Sequence, residues 1–215
     1  MRRVDADARQ SRRARGIAVA TAMLTGAMLL GGCAPLIVGG AAVGTALVVT
    51  DRRTAGTQLE DQSIELKARN RARDVIGERG HVNFTSYNRV LLITGEVPTE
   101  ADRSAVERAV AGVENLRSVV NELAVMGNSS LTARSNDAVL TSKVKATFID
   151  ARDLEANAVK VLTERGVVYL MGRVTEREAA RATELARGVG GVLKVVRVFE
   201  VVSDAEIATL RRAGS

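Results

Sequence analysis

The chain has 215 residues, with 31 Lys and Arg against 25 Asp and Glu, three Phe, two Tyr, no Trp, one Cys and one His. That inventory allows no intrachain disulfide and no clustered His/Cys metal site, and it gives no support to a Cys–His or Ser–His–Asp catalytic arrangement. Five aromatic side chains are too few for a base-stacking platform, so the net charge of +6 is a poor argument for a nucleic-acid partner.

The charge is concentrated at the start of the chain. Arg2, Arg3, Arg9, Arg12, Arg13 and Arg15 stand against Asp5 and Asp7, and an uncharged apolar stretch follows from Gly16 to Gly32. A basic segment followed by an apolar one of this length is the pattern of a secretory signal peptide. The stretch ends in Leu30-Gly31-Gly32-Cys33, a lipobox. Small residues let the scissile bond enter a peptidase, and only a thiol accepts a diacylglyceryl group as a thioether. Cys33 is therefore expected to be the lipidated first residue of the mature chain. Ala34 follows it, where Asp would favour retention at the inner membrane, so the expected location is the outer membrane, lipid-anchored and facing the periplasm. Cleavage before Cys33 removes six Arg and two Asp and leaves 25 basic against 23 acidic side chains.

Residues 33–58 read as a lipidated apolar linker. Its apolar part, Ala34–Val49, is Gly-rich and a little short for a membrane span. The alternative is a transmembrane helix with an uncleaved Cys33. The remainder is an internal repeat. Gly95 and Gly172 are 77 positions apart, whereas Asp61 and Asp137, Gly112 and Gly188, and Val119 and Val195 are 76 apart. The second copy therefore lacks one residue near Pro98.

Each copy reads as α-β-β-α-β. Ile64, Ala68, Ala72 and Ile76 form one apolar helix stripe, and Leu140, Val144 and Phe148 form the other, with helices opening at Asp61 and Asp137. His81–Ser86 alternates, and Val90–Val97 is nearly continuous and rich in β-branched residues. The turns between strands fall at Tyr87-Asn88-Arg89 and Glu164-Arg165-Gly166, and His81 stands at a strand start. Thr175-Glu176-Arg177-Glu178 is a capping box, and Thr99-Glu100-Ala101-Asp102 is a shorter version. The closing strands span Leu116–Val125 and Val192–Val202, and Ser203 caps a final short helix. The expected fold class is α+β. It comprises a signal peptide at 1–32, the linker at 33–58, two tandem domains at 59–126 and 137–203 joined by 127–136, and a terminal helix at 204–215.

The residues Ile93-Thr94-Gly95-Glu96-Val97, Ala111-Gly112-Val113 and Val119-Val120-Asn121 carry a family likeness. So do Leu170-Met171-Gly172-Arg173-Val174-Thr175, Gly188-Val189 and Val195-Val196. A strand ending in Gly, a helix, then Gly-Val before a closing strand resembles the BON domain. With the lipobox, the tandem copies and the Asp51–Gln58 segment, the whole mature chain is similar to the family's dual-BON outer-membrane lipoproteins. That resemblance implies a non-enzymatic periplasmic protein, and the residue inventory leads to no expected cofactor or bound metal. It further implies association with phospholipid and support of outer-membrane integrity.

The resemblance also implies that the first helix of the second BON domain, about Asp137–Ala151, faces the membrane. On that helix Lys145 and Ile149 fall opposite the core stripe, with Lys143 and Arg152 on the flanks. Cations suit anionic headgroups, and an exposed Ile suits the layer below them. Lysines on a solvated helix face are ordinary by themselves. Val139 stands where close relatives often carry a bulky aromatic, which offers less area for insertion. The expected phospholipid-binding residues are Val139, Lys143, Lys145, Ile149 and Arg152, and the expected partner is an anionic phospholipid membrane. The alternative is a protein-binding adaptor for an outer-membrane assembly machine, with Val192–Val202 as an exposed sheet edge.

Overall fold

The computed structural model describes residues 51–213. Cys33, the expected signal peptide and the apolar stretch Ala34–Val49 lie outside the described residues. The first repeat contains α1 (Ala55–Ile76), β1 (His81–Tyr87), β2 (Val90–Val97), α2 (Glu100–Ala111), β3 (Ser118–Asn121) and β4 (Ala124–Val125). The second contains α3 (Leu131–Asp150), a 3₁₀ turn at Ala156–Ala158, β5 (Lys160–Glu164), β6 (Val167–Val174), α4 (Glu176–Gly188) and β7 (Lys194–Val201), followed by α5 (Asp204–Ala213). The fold is α+β. In each repeat the middle strand pairs antiparallel with the strand before it and parallel with the strand after α2 or α4.

Both leading helices begin six residues earlier than their apolar stripes suggest. Thr54 and Ser130 are the N-caps, accepting from the amides of Thr57 and Ala133. Asp61 and Asp137 therefore sit inside the helices, buried, and hold the adjacent hairpin turn instead. Asp61 accepts from Ser86 Oγ (2.7 Å) and from the amides of Asn88 (2.8 Å) and Arg89 (2.7 Å). Asp137 accepts from the amides of Arg165 (2.7 Å) and Gly166 (2.8 Å). These turns need an anchor, because Asn88, Arg89, Arg165 and Gly166 all have positive φ. That is the geometry of a two-residue primed turn, and it is costly for a non-glycine residue. Burial alone would raise the Asp61 pKa, but the bonds from Ser86, Arg89, Arg53 and Asn88 hold it below the usual carboxylate range.

The expected continuous strand Leu116–Val125 is instead split into β3 and β4. The Asn121 side chain accepts from the Leu123 amide (3.2 Å), while the Glu122 amide turns to the Ile93 carbonyl (2.9 Å). This bulge puts Leu123 into the core. Gly95 is required on β2 because its φ is 114° and a Cβ there would strike the His81 carbonyl oxygen. The equivalent Gly172 is crowded in the same way by Ala158.

Each sheet buries both faces. In the first repeat Leu91 and Ile93 point at α1 and α2, joining Ile64, Ala68, Val106 and Val110. In the second, Val168 and Leu170 join Val144, Phe148, Ala179 and Ala182. The intervening side chains point the other way. Tyr87 and Leu92 from one sheet meet Tyr169 and Met171 from the other, with Val120, Leu162, Val196 and Val198 packed around them. A strand buried on both faces reads as a continuous apolar run, as Leu91-Leu92-Ile93 and Val168-Tyr169-Leu170-Met171 do. Polar ties close the rim. The fully buried Glu96 carboxylate accepts from Arg165 at 3.0 Å, Asn83 donates to Glu164, and Arg117 pairs with Glu200 at 3.3 Å.

We expect Tyr169→Ala to cost about 3–5 kcal/mol, the usual range for truncating a large buried aromatic. A urea titration should show the midpoint falling sharply, whereas Leu66→Ala on the exposed face of α1 should leave it nearly unchanged.

Candidate functional site

Helix α3 turns Asp137, Leu140, Val144 and Phe148 inward. All five residues expected to meet lipid are exposed. Val139 is 55% and Ile149 71% accessible, and Lys143, Lys145 and Arg152 are open to solvent. Four of them are on α3. Arg152 is not, because the helix ends at Asp150 and Arg152 lies in the turn beyond it. Among the described residues Lys143, Lys145 and Arg152 make no ion pair, so their charges are uncommitted. Ser142 Oγ donates to the Ala138 carbonyl (3.0 Å) and Thr147 Oγ to that of Lys143 (3.0 Å). Hydroxyls turned back on their own helix leave the outward strip less polar than its sequence suggests.

Two apolar positions beside this strip escaped the sequence reading. Leu131 in the first turn is 79% exposed, and Leu193, in the loop before β7, is 80% exposed. The first is part of a helical turn that the stripe beginning at Asp137 does not reveal. The second falls within the span Val192–Val202 expected as the closing strand, where a Leu looks like ordinary strand material.

The segment before α1 forms a strap across both repeats. Arg52 is buried and reaches the second repeat. It donates to both Glu178 carboxylate oxygens (2.8 and 2.6 Å), the Arg173 carbonyl (2.7 Å) and Glu155 (3.2 Å). Arg53 faces the first repeat. It pairs with Asp61 (2.7 Å) and Asp51 (2.7 Å), and its guanidinium lies 4.1 Å from the Tyr87 ring centre. The planar, multi-donor guanidinium suits both tasks, and Lys could not replace either Arg without losing bonds. The sequence placed Asp51–Arg53 in a linker because their partners lie far away along the chain. Asp51 and Arg53 also line a groove of about 270 Å³ together with Tyr87, Lys145, Ile149 and Lys160. The described chain thus begins beside the C-terminal half of α3.

His81 stands half-buried at the start of β1, 3.2 Å from Asn83 Nδ2. Burial, and then the charge of Arg134, lower its pKa. Among the described residues no group of three or more His, Cys, Asp or Glu is arranged to hold a metal ion. No described helix is long and apolar enough to cross a membrane.

The glycine-punctuated β-α-β cores, the hairpins anchored from a helix and the duplication coincide with matches to the family model described as BON domain, over residues 61–127 and 136–203. The chain is a BON-domain protein. It is 40% identical over 183 residues to the outer membrane lipoprotein DolP of Haemophilus influenzae, covering 83% of this chain and 94% of that protein. It is also 32% identical to the 21 kDa hemolysin of Actinobacillus pleuropneumoniae, over 71% of this chain and 79% of that one. The osmotically-inducible protein Y of Escherichia coli is 29% identical over 53% of this chain and 58% of its own length. This BON protein is therefore DolP-like, with two BON domains, and belongs to the outer membrane.

Arg52 and then burial set the state of Glu178. The hydrogen bond from Arg52 lowers the Glu178 pKa and burial opposes it, while bonds with Thr175 add to the lowering; the result is about 2. A carboxylate with a depressed folded pKa contributes stability above its ordinary pKa and loses it as the pH falls through the folded value. Thermal unfolding followed from about pH 5 to about pH 2 should show that loss, and Glu178→Gln should flatten it. At neutral pH, Arg52→Ala should destabilise the protein by about 3–5 kcal/mol, since it leaves a buried carboxylate without its cation.

Proposed function

We propose that this BON protein, anchored in the outer membrane through lipid on Cys33, makes a second contact with anionic phospholipid through α3 and thereby supports outer-membrane integrity. The observation that carries the proposal is the outward face of α3. Ile149 and Val139 stand exposed between the uncommitted cations Lys143 and Lys145, with Arg152 beyond the helix end. Cations attract the headgroup phosphates at about 1 kcal/mol each near an anionic surface, and the aliphatic side chains enter the layer beneath.

Such a contact is weak by itself. The anchor compensates by raising the local concentration of lipid, as in any two-signal membrane device. Seventeen residues separate Cys33 from Asp51, which limits the tether to about 60 Å when fully extended. The tether enters the folded region at Asp51, on the groove that Lys145 and Ile149 share. The relatives' names describe lipoprotein, hemolysin and osmotic-response proteins rather than enzymes, which agrees with a binding role.

The test uses the chain without its signal peptide and with Cys33 replaced, so that no acyl chain contributes. It should sediment with phosphatidylglycerol vesicles and much less with phosphatidylcholine vesicles. Lys145→Glu combined with Ile149→Asp should abolish sedimentation without changing the melting temperature. Undiminished sedimentation of the double variant would remove α3 as the site.

One observation favours a protein partner as a second reading. Among the described residues β7 pairs only with β6 and forms the edge of its sheet over eight residues, Lys194–Val201. An open edge of that length accepts an added strand. Photo-crosslinking from Arg197, which is exposed on β7, should then capture one defined envelope protein. Absence of a discrete adduct would count against this reading.

A further inference from the structure

The two repeats are an internal control for each other. Superposed by sequence offset, α1 and α3 place equivalent residues alike, with Asp61 and Asp137 holding matching hairpins. The loops before the closing strands are equivalent as well. The Arg117 amide donates to the Arg89 carbonyl and the Leu193 amide to the Gly166 carbonyl, both at 2.9 Å. The chemistry at these matched positions differs. The first repeat has Ser63 on the helix and Arg117 on the loop, whereas the second has Val139 and Leu193. The loop itself changes from Glu114-Asn115 to Gly190-Gly191. Asn115 and Gly191 keep the same positive-φ turn, at 62° and 103°. Gly190 has open space where a side chain would stand.

In the second repeat the loop and helix join. Val139, Leu140, Lys143, Gly190, Gly191 and Leu193 line one groove of about 420 Å³ along the N-terminal half of α3. Leu193, 80% exposed, stands at its lip. Lys194 follows it, exposed and without an ion pair among the described residues. Lys143 flanks the other side. An aliphatic tip on a glycine loop, beside an exposed Val and bordered by two free cations, matches an anionic bilayer surface in both polarity and charge.

We infer that the loop Val189–Leu193 is a second membrane-inserting element. With Val139 it forms a wedge that seats the N-terminal half of α3 in the bilayer, while Lys145 and Ile149 seat the other half. The inference rests on the proposed contact of α3 with phospholipid and adds to it the element that fixes the helix's orientation. The first repeat does not share the wedge. It exposes Leu59 and Leu66 on α1, but its loop ends in Arg117, so no apolar loop stands beside that helix.

The chain has no Trp, so a single introduced indole reports its own environment without background. The full-length lipoprotein is reconstituted into phosphatidylglycerol-containing vesicles with or without lipids brominated on the acyl chains. Three variants are compared, Leu193→Trp, Ile149→Trp and Leu66→Trp, all at exposed positions. Leu193→Trp and Ile149→Trp should shift to the blue and lose most of their emission to brominated lipid, and Leu66→Trp should keep its emission. Quenching at position 149 but not 193 would overturn the wedge and leave the α3 contact standing. Quenching at neither position would overturn both. A blue shift at 193 without quenching would mean that protein, not lipid, covers the loop, and would also overturn the inference.

Discussion

The contact between the backs of the two sheets is the constraint on which the other features depend. A sheet of three or four strands with two helices on one face leaves its other face apolar, and a domain of about this size is marginal alone. Duplication gives each sheet a partner with the same problem. Tyr87 and Leu92 from one copy and Tyr169 and Met171 from the other fill a shared third core. Removing water from that layer also makes the pairing of Glu96 with Arg165 obligatory. A carboxylate with no exposure would be strongly destabilising without its cation.

Once the sheets are back to back, their helices must lie on opposite outer surfaces. The segment Asp51–Arg53 ties the two repeats together. Arg52 is committed to Glu178 in the second repeat and Arg53 to Asp61 in the first, so the last residues before α1 belong to both. Asp51 and Arg53 line a groove together with Lys145 and Ile149, on the helix half proposed to touch lipid.

The proposed membrane surface combines modest elements. Two exposed aliphatic residues on α3, a Leu on a glycine loop and a few uncommitted cations would bind a bilayer only weakly from solution. Beside the proposed lipid on Cys33 a weak contact would suffice, because the anchor would already have met most of the cost of bringing protein and membrane together. Weak contact also keeps the surface exchangeable.

Several features follow from local sequence alone. The lipobox, the capping Thr residues at Thr99 and Thr175 and the left-handed turn at Gly166 are each set by residues within a few positions of one another, and the 76-residue repeat shows when the sequence is laid against itself. The outward placement of Lys145 and Ile149 is also readable, since helical periodicity with a known core stripe fixes which side chains point away, whereas Val139 enters only through the family resemblance. Other features depend on partners far along the chain, and no local pattern reports them. Asp61 and Asp137 look like helix starts and act as turn anchors, because the groups they bind lie more than twenty residues away. Arg52 looks like linker and is buried, because Glu178 is 126 positions distant. Leu193 looks like strand and stands exposed on a loop beside Val139. Local patterns thus assign the residues of each repeat and the free face of α3. What the repeats bury together, and which loop joins that face, depend on contacts between segments that the chain brings together only on folding.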